Sequence, residues 1–422
     1  MPPQDPKAPA PPDPEETARN LDELEELLSR IPGAKKLITE IRELRALLVE
    51  RRAPRIACVG RRGAGKSSLA NALIGAPVLE VGSARDTTQV PRWVDVAAGP
   101  RALRWFDTPG LRAADPEARR REVSRALRSE APDVIVFVCR ATEVDAGIEE
   151  DLDDLLAIRQ AAVDARGNLP PLVAAVTKVD ELPPEHLKAP PYDRDPLKRE
   201  RIDEAVATLR GHLARRGIGE VKVVPVATYL REESGALAVD WRWNLNALSA
   251  AVFDALPRPA QVEAARAFEQ ARGLRRRVAM RFVGTATSVA VVVGATPLPI
   301  ADLALLLPLQ TAMLTAIVYA SGRPLGPRAA GEWLGGIGLN VSAAMGLREA
   351  VRALLKVVPG IGGPLSGAVA GTGTWALGVA AVRYFVDGVT LKRSREVYDQ
   401  ALRDGAPDDP AGSDPPPEGG EG

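Results

Sequence analysis

The sequence predicts an α/β domain with a mostly parallel sheet, preceded by a helical arm and followed by an all-α domain. Between residues 54 and 257, strand-like apolar runs alternate with helical segments, as they do in parallel sheets that helices cover on both faces. Over residues 17–53, apolar residues recur at helical spacing in two stripes that Pro32-Gly33 separates, which indicates a helical arm. After Pro259, long uncharged stretches replace the alternation and favour a helical domain over 258–403.

Both ends of the chain are predicted to be disordered. Residues 1–16 are polar and rich in proline, and residues 404–422 are acidic and rich in proline and glycine. Neither composition can bury enough apolar surface to fold. The leader also lacks the apolar core of a secretory signal, so we expect the protein to be made in the cytoplasm.

The bulk composition excludes some function classes. With 55 basic and 55 acidic residues the net charge is zero, which gives no general attraction to nucleic acid. Aromatic residues make up 4% of the chain, so the core must consist mainly of aliphatic side chains. Cys58 and Cys139 lie in apolar runs, which predicts two buried thiols and a reducing compartment.

The elements of the α/β domain follow from apolar runs and breaker residues. The predicted strands are residues 55–60, 102–107, 133–139, 172–177 and 221–227. The predicted helices begin near Lys66, Pro116, Ile148 and Arg201, and a closing helix covers 244–256. Residues 183–200 are predicted to be a polar, proline-rich excursion on the surface, and 260–282 a long amphipathic stretch.

Residues 60–67, with the sequence GRRGAGKS, follow a strand and open a helix. Glycines at this spacing let backbone amides curl around phosphate oxygens at a helix N-terminus. Lys66 then supplies a positive charge to the β- and γ-phosphates, and the Ser67 hydroxyl can bind Mg²⁺. The alternative interpretation is a glycine-rich turn without a ligand.

Companion motifs stand at the ends of later strands. Asp107 opens the run Asp-Thr-Pro-Gly, where a carboxylate can hold Mg²⁺ through water and the Gly110 amide can contact the γ-phosphate. Asp180 ends the run Thr-Lys-Val-Asp, and its carboxylate can accept two hydrogen bonds from guanine. Thr87 or Thr88 lies where a switch loop must bring a second hydroxyl to the metal. In open α/β sheets such strand ends converge on one site.

These motifs resemble the bacterial Era/TrmE-like branch of P-loop GTPases over residues 54–257. The resemblance implies a P-loop G domain that binds GTP or GDP with Mg²⁺, with Lys178 packed over the phosphate loop. The implied nucleotide contacts are Arg62, Gly63, Ala64, Gly65, Lys66, Ser67, Ser68, Asp107, Gly110, Thr177, Lys178, Asp180, Ala227 and Thr228. The implied metal ligands are Ser67, Thr87, Thr88 and Asp107, and the implied catalytic residues are Lys66, Arg85, Thr88 and Gly110.

Three positions depart from that branch. Gly63 stands where relatives often have asparagine, which removes the basis for potassium-stimulated hydrolysis. Ala227-Thr228-Tyr229 stands where a Ser-Ala-Lys motif is usual. Leu111 replaces the water-orienting glutamine of Ras-like proteins, so we expect slow intrinsic hydrolysis. Arg85 can compensate in cis through its guanidinium, or it is an ordinary solvated arginine of the switch loop.

The apolar C-terminal region leaves two interpretations open. Residues 283–320 are divided by Pro297-Leu298-Pro299, and residues 357–382 are long enough to span a bilayer. Basic residues flank the first stretch, and Gly363, Gly367 and Gly371 form a face for close helix contact. Such stretches favour either a membrane-associated hairpin or the centre of a soluble helical bundle.

Residues 275–390 resemble a YcjF-like C-terminal domain, on the basis of Pro297, Pro299, Asp302 and Gln310. The resemblance implies a helical, membrane-linked module. Asp302 and Gln310 form either a functional pair or a structural hydrogen bond, and the second is favoured.

The sequence thus predicts a Mg²⁺-dependent GTPase switch in the cytoplasm or at the cytoplasmic membrane. Its expected partners are guanine nucleotide, a membrane lipid or membrane protein through 283–320 and 357–382, and a second copy in a nucleotide-dependent dimer. Two alternatives remain: a GTP-dependent scaffold with negligible hydrolysis, and a ribosome or RNA assembly GTPase. Nucleic acid is disfavoured because the KH-like Gly-x-x-Gly at 360–363 has uncharged surroundings.

Overall fold

The computed structural model describes residues 51–79, 91–98, 101–107, 116–145, 147–233, 236–295, 301–322 and 364–407, together with Trp333 and isolated residues between 19 and 45. The chain divides into two compact units. The sheet unit is Arg52–Ala271, and the helical unit combines Met1–Arg51 with Arg272–Gly422.

The sheet unit is built on six strands in the order β2-β3-β1-β4-β5-β6. Strands β3, β1, β4, β5 and β6 run parallel, and β2 pairs antiparallel with β3 at one edge. This arrangement confirms the predicted mostly parallel sheet. The strand bounds are Arg55–Gly60 (β1), Arg92–Ala98 (β2), Arg101–Asp107 (β3), Val134–Arg140 (β4), Leu172–Thr177 (β5) and Lys222–Pro225 (β6).

Strand β2 and a small hairpin were not predicted. The hairpin consists of β7 (Leu230–Glu233) and β8 (Ala236–Asp240), which pair antiparallel apart from the main sheet. β2 escapes an apolar-run criterion because an edge strand needs only one covered face, and its sequence RWVDVAA places charge between apolar residues.

The described part of the sheet unit also contains six α-helices. Their bounds are Lys66–Ile74 (α1), Pro116–Ser129 (α2), Ile148–Arg166 (α3), Pro196–Arg215 (α4), Leu245–Ala255 (α5) and Arg258–Ala267 (α6). The predicted starts of α1, α2 and α3 are confirmed. The predicted start of α4 at Arg201 is wrong, because Asp195 caps the helix earlier: its Oδ1 accepts the backbone N–H of Lys198 at 2.8 Å, with Pro196 at the first position.

The core of the sheet unit is aliphatic, with Phe106 and Phe137 buried in the strands. Both cysteines are buried free thiols, as predicted. Burial raises the pKa of Cys139 to about 12, with the Asp151 carboxylate acting in the same direction. This thiol is therefore protonated at neutral pH and acts as a core residue.

In the described residues from Arg272 onward, the helical unit contains four long helices. They are α7 (Arg272–Ala295), α8 (Ala301–Ser321), α9 (Pro364–Phe385) and α10 (Leu391–Asp404). The predicted continuous stretch 260–282 is wrong, since Phe268 adopts an extended conformation after α6 and α7 begins at Arg272. Among the described residues, one helix, Arg272–Gly294, is long and apolar enough to cross a membrane, and 67% of its apolar window is buried within the structure.

Small residues let α9 approach its neighbours closely. A Cβ on Gly371 would overlap the Val291 side chain of α7, and one on Gly378 would overlap Val283. Gln310 donates from Nε2 to the Thr374 hydroxyl at 2.9 Å, and both side chains are buried. Gln310 thus makes one structural hydrogen bond, while its Oε1 has no hydrogen-bond partner among the described residues. The side chain of Asp302 and the whole of Gly363 lie outside the described residues, so the choice between a functional pair and a structural bond stays a prediction.

The described residues between 19 and 45 are helical. Leu21 and Ile41 are fully buried, and Arg42 pairs with Glu25 at 2.6 Å while Arg45 pairs with Asp22 at 3.0 Å. These ion pairs bring together the two helical stretches that the sequence predicts on either side of Pro32-Gly33.

Candidate functional site

The loop between β1 and α1 is shaped by glycines. Gly63 and Gly65 have φ angles of 77° and 91°, in the left-handed region that favours glycine. A Cβ on Gly60 would overlap the backbone carbonyl of Val138. The loop therefore adopts a tight path, and the first-turn amides of α1 that follow it have no acceptor within the helix. Such a concave arrangement of amides binds anions.

Lys66 is the first residue of α1, and its ammonium lies at the centre of this loop. Nζ donates to the carbonyl oxygens of Gly60 and Arg61, at 3.0 Å each. Ser67 and Ser68 follow in the same turn and are half-buried. Arg62 and Gly63 are exposed at the loop tip, and Ala64 is buried beneath it. The loop thus presents a fixed positive charge together with a helix N-terminus.

Arg61 anchors the loop to the neighbouring helix. Its guanidinium is 13% exposed and forms an ion pair with the buried carboxylate of Asp151, in the first turn of α3, and a longer pair with Glu143 at 3.6 Å. The sequence gives no signal of this contact, because the motif allows any residue at position 61.

Thr177 joins the loop to the end of β5. Its buried hydroxyl donates to the carbonyl oxygen of Ala64 at 2.6 Å and lies 3.2 Å from the carbonyl oxygen of Cys139 at the end of β4. The predicted phosphate loop and the predicted base motif are therefore held together by one side chain.

The residues after Thr177 form a tight turn. Lys178 has a φ of 58°, and Val179–Glu181 form a short 3₁₀ turn. The Lys178 ammonium lies 3.5 Å from the Glu181 carboxylate, a contact that the predicted packing over the phosphate loop did not anticipate. Asp180 is half-buried, and burial raises the pKa of its carboxyl group, with Glu181 acting in the same direction.

Ala227 and Thr228 follow β6 at the same edge of the sheet. The Val226 amide donates to the Val176 carbonyl at 2.8 Å, which continues the pairing with β5. Ala227 is buried and exchanges backbone hydrogen bonds with Trp243, at 3.3 and 3.0 Å. The segment that contains Asp180 and the segment that contains Ala227 thus follow two adjacent strands, β5 and β6.

Some predicted site residues are not placed. Arg85, Thr87, Thr88 and Gly110 lie outside the described residues. For Asp107 only the backbone is described: it ends β3, in register with Cys58 of β1. The roles predicted for these residues remain predictions.

Comparison with known proteins identifies the domain. Residues 55–178 match the family described as 50S ribosome-binding GTPase. Residues 55–178 are a P-loop GTPase domain. The GTPase Era of Xanthomonas campestris pv. campestris is 37% identical over 130 residues, which cover 30% of this chain and 40% of that protein. The match therefore spans less than half of the curated relatives, and it concerns the GTPase domain alone.

Two solved structures resemble the chain weakly. Toc33 from Arabidopsis thaliana is 21% identical, covers 56% of this chain and 94% of its own, and has a TM-score of 0.35. The LeoA bacterial dynamin GTPase is 15% identical, covers 90% of this chain and 71% of its own, and has a TM-score of 0.38.

GTP or GDP with Mg²⁺ is the cofactor set of such a GTPase domain. The described residues fit the nucleotide. The loop between β1 and α1 passes so close to β4 at Gly60 that a side chain would not fit there. Lys66 supplies the positive charge, and Ser67 places a hydroxyl in the first turn of α1. The hydroxyl of Ser67 and the carboxylate predicted for Asp107 are oxygen ligands of the kind that Mg²⁺ prefers.

Proposed function

We propose that the protein is a nucleotide switch that binds GTP with Mg²⁺ and hydrolyses it to GDP and phosphate. One observation carries the proposal: the Lys66 ammonium is held by two carbonyls inside a glycine-shaped loop at a helix N-terminus. That arrangement binds polyphosphate, and it lies in a domain matched to GTPases.

The proposed roles divide the site between phosphate, metal and base. Lys66 and the loop amides neutralise charge on the transferred phosphoryl group, with the Gly110 amide contacting the γ-phosphate. Ser67, Asp107 and either Thr87 or Thr88 would hold Mg²⁺. Held by these residues, Mg²⁺ would offset the negative charge that develops on the phosphates. Asp180 recognises guanine, with Ala227 and Thr228 on the adjacent segment.

Hydrolysis is expected to be slow because Leu111 cannot orient water. Arg85→Ala tests whether an arginine in cis compensates. If it does, single-turnover hydrolysis falls at least about tenfold, since arginines in this role raise the rate by orders of magnitude. Arg92→Ala, which removes an exposed arginine of β2, serves as the control. An unchanged rate in Arg85→Ala would eliminate the cis-arginine role.

We further propose that the nucleotide state is relayed to the helical unit and that this unit associates with the inner face of the cytoplasmic membrane. Support comes from the length and apolar composition of Arg272–Gly294 and from the arginines at 275–277 and 281 near its start. The test is flotation of the purified full chain with anionic liposomes. Release from the membrane fraction by detergent alone is expected, and recovery in the soluble fraction without detergent would refute membrane association.

A scaffold that binds GTP without hydrolysing it is separated from the enzyme by multiple-turnover assays with and without liposomes.

An assembly factor for ribosomes is favoured only by the description of the matched family, and the neutral net charge opposes it. Co-sedimentation with 50S subunits in a non-hydrolysable GTP analogue would revive that function. Light scattering in the same analogue tests the proposed nucleotide-dependent dimer.

A further inference from the structure

A buried lysine outside the sequence motifs contacts the backbone of the turn that contains Asp180. Lys198, in the first turn of α4, is fully buried. Its ammonium donates to the backbone carbonyl of Asp180 at 3.0 Å and to that of Leu182. Burying an ammonium costs free energy unless its N–H groups find acceptors. The two carbonyls therefore hold the Lys198 ammonium in place, and the ammonium in turn holds the backbone of the Asp180 turn.

The lysine is itself held by neighbouring residues. Asp195 caps α4 by accepting the backbone N–H of Lys198 at 2.8 Å. The Lys198 ammonium lies 5.4 Å from the centre of the Tyr192 ring, within the range of a cation–π interaction. The Tyr192 hydroxyl donates to the Lys188 carbonyl at 2.5 Å, which holds the ring in place. Tyr192 is buried although its surroundings in the sequence are polar and rich in proline.

The same cluster reaches the second base-side segment. The Tyr192 ring packs edge-to-face on Trp243, with ring centres 5.5 Å apart. The backbone of Trp243 pairs with Ala227, two residues after the end of β6. We call Lys198, Tyr192 and Trp243 the base-side brace. It connects the Asp180 turn and the Ala227 segment through two buried side chains and the partly buried Trp243.

We propose that Lys198 is a positioning residue for guanine recognition, which fixes the backbone that carries Asp180 and places a buried positive charge beside its carboxylate. The inference rests on the proposed function, in which Asp180 accepts hydrogen bonds from guanine. Two acceptor oxygens must face two donors of the base at hydrogen-bonding distance, so a displaced turn weakens guanine more than a base with one donor.

The charge of Lys198 also bears on the ionisation of Asp180. Burial raises the pKa of Asp180 and Glu181 raises it further, whereas the carboxylate's own backbone amide, Lys198 and Lys178 lower it. Tyr192 faces the same carboxylate, and its own pKa is raised by burial and by Asp180. Guanine requires the ionised carboxylate, so GDP affinity declines as pH falls through the pKa of Asp180. Without the Lys198 charge that pKa rises, and the decline begins at higher pH.

Calorimetric titration of Lys198→Met with GDP and with IDP, whose base lacks the 2-amino donor, tests the positioning role. We expect GDP affinity to fall about tenfold and IDP affinity less than about threefold, because two buried carbonyls lose their donor and Asp180 loses its position. The rate at saturating GTP should stay unchanged, since the phosphate loop is untouched. Arg201→Ala, three residues along the same helix and exposed, is the control and should bind as wild type does.

Lys198→Gln isolates the charge and guards against a Lys198→Met protein that does not fold. Its amide can still donate to a carbonyl, so at pH 8 it should bind GDP within about threefold of wild type. Its loss of GDP affinity on acidification should begin at higher pH. An unchanged pH profile in Lys198→Gln, or equal losses for GDP and IDP in Lys198→Met, would overturn the inference. A wild-type protein that binds no GDP would instead refute the proposed function.

Discussion

The phosphate end and the base end of the site are built in different ways. At the phosphate end, Lys66 bonds to carbonyls five and six residues away, and two left-handed glycines set the path of the same loop. At the base end, the Asp180 turn depends on a buried lysine eighteen residues away and on the aromatic side chains of Tyr192 and Trp243. A short sequence motif is therefore enough to form the phosphate end, whereas the base end depends on contacts between residues far apart in the sequence.

This difference implies that damage at the two ends will have different effects. A change in the phosphate loop removes charge that every nucleotide needs, whatever its base. A change at the base end leaves the phosphate contacts in place and alters the choice between bases. The following substitutions separate the two.

The largest effect is expected for Lys66→Ala. The variant should bind GDP at least about a hundredfold more weakly, because charge-assisted hydrogen bonds contribute about 1.5–3 kcal/mol each. Calorimetry should show equal losses for GDP and IDP. Lys222→Ala, which removes an exposed lysine of β6, is the control. A loss confined to GDP would show that the two ends are not separable.

Asp180→Asn should act on base choice. GTP affinity is expected to fall about thirtyfold, since an amide presents a donor where guanine also donates. Xanthosine triphosphate, which offers an acceptor at that position, should bind more tightly to the variant than to wild type. Competition between the two nucleotides measures the ratio. A ratio that does not change would remove Asp180 from the base site.

Thr177→Val tests the side chain that joins the two ends. Loss of the hydroxyl leaves the Ala64 carbonyl without its buried donor, so the free energy of unfolding should fall by about 1–3 kcal/mol. Thermal and urea unfolding measure the change. Thr208→Val on the half-buried face of α4 controls for the shape of valine. Equal stabilities of the two variants would mean that this bond contributes nothing to the fold.

The smallest effect is expected at the loop tip. Arg62 is exposed, so Arg62→Ala should change GDP affinity by less than about twofold, as solvent-exposed charges contribute little. Fluorescence titration at low and at physiological salt is the measurement. A loss above tenfold would place Arg62 among the phosphate contacts that the resemblance implies.

The sequence predicts the phosphate end well because its geometry is local. The five parallel strands, the starts of α1 to α3 and the glycine-rich turn all follow from residues close together in the chain. The base-side brace could not be predicted in this way. Lys198 and Tyr192 lie in residues 183–200, which the sequence predicts to be a surface excursion; most of this segment is exposed, as predicted, but these two side chains are buried. Their burial depends on contacts with Asp180, Leu182 and Trp243, which no local pattern encodes.

The helical unit shows the same limit. The spacing of glycines predicts the close packing of Gly371, and the position of Gln310 in an apolar helix favours the hydrogen bond that its amide makes to Thr374. The sequence does not predict the break between α6 and α7, because the amphipathic spacing continues through Phe268. The helical backbone, however, ends at Ala267, and Phe268 is extended. Whether the unit enters a membrane depends on its surroundings and remains a proposal.

The most direct test of the central claim is a calorimetric comparison of GDP with ADP on the purified full chain in the presence of Mg²⁺. Saturable heat with GDP, weakened at least about a hundredfold with ADP, is the predicted result, because Asp180 matches the donors of guanine and adenine offers none at those positions. No heat with GDP, or equal affinity for the two nucleotides, would contradict a guanine site at the carboxyl edge of this sheet.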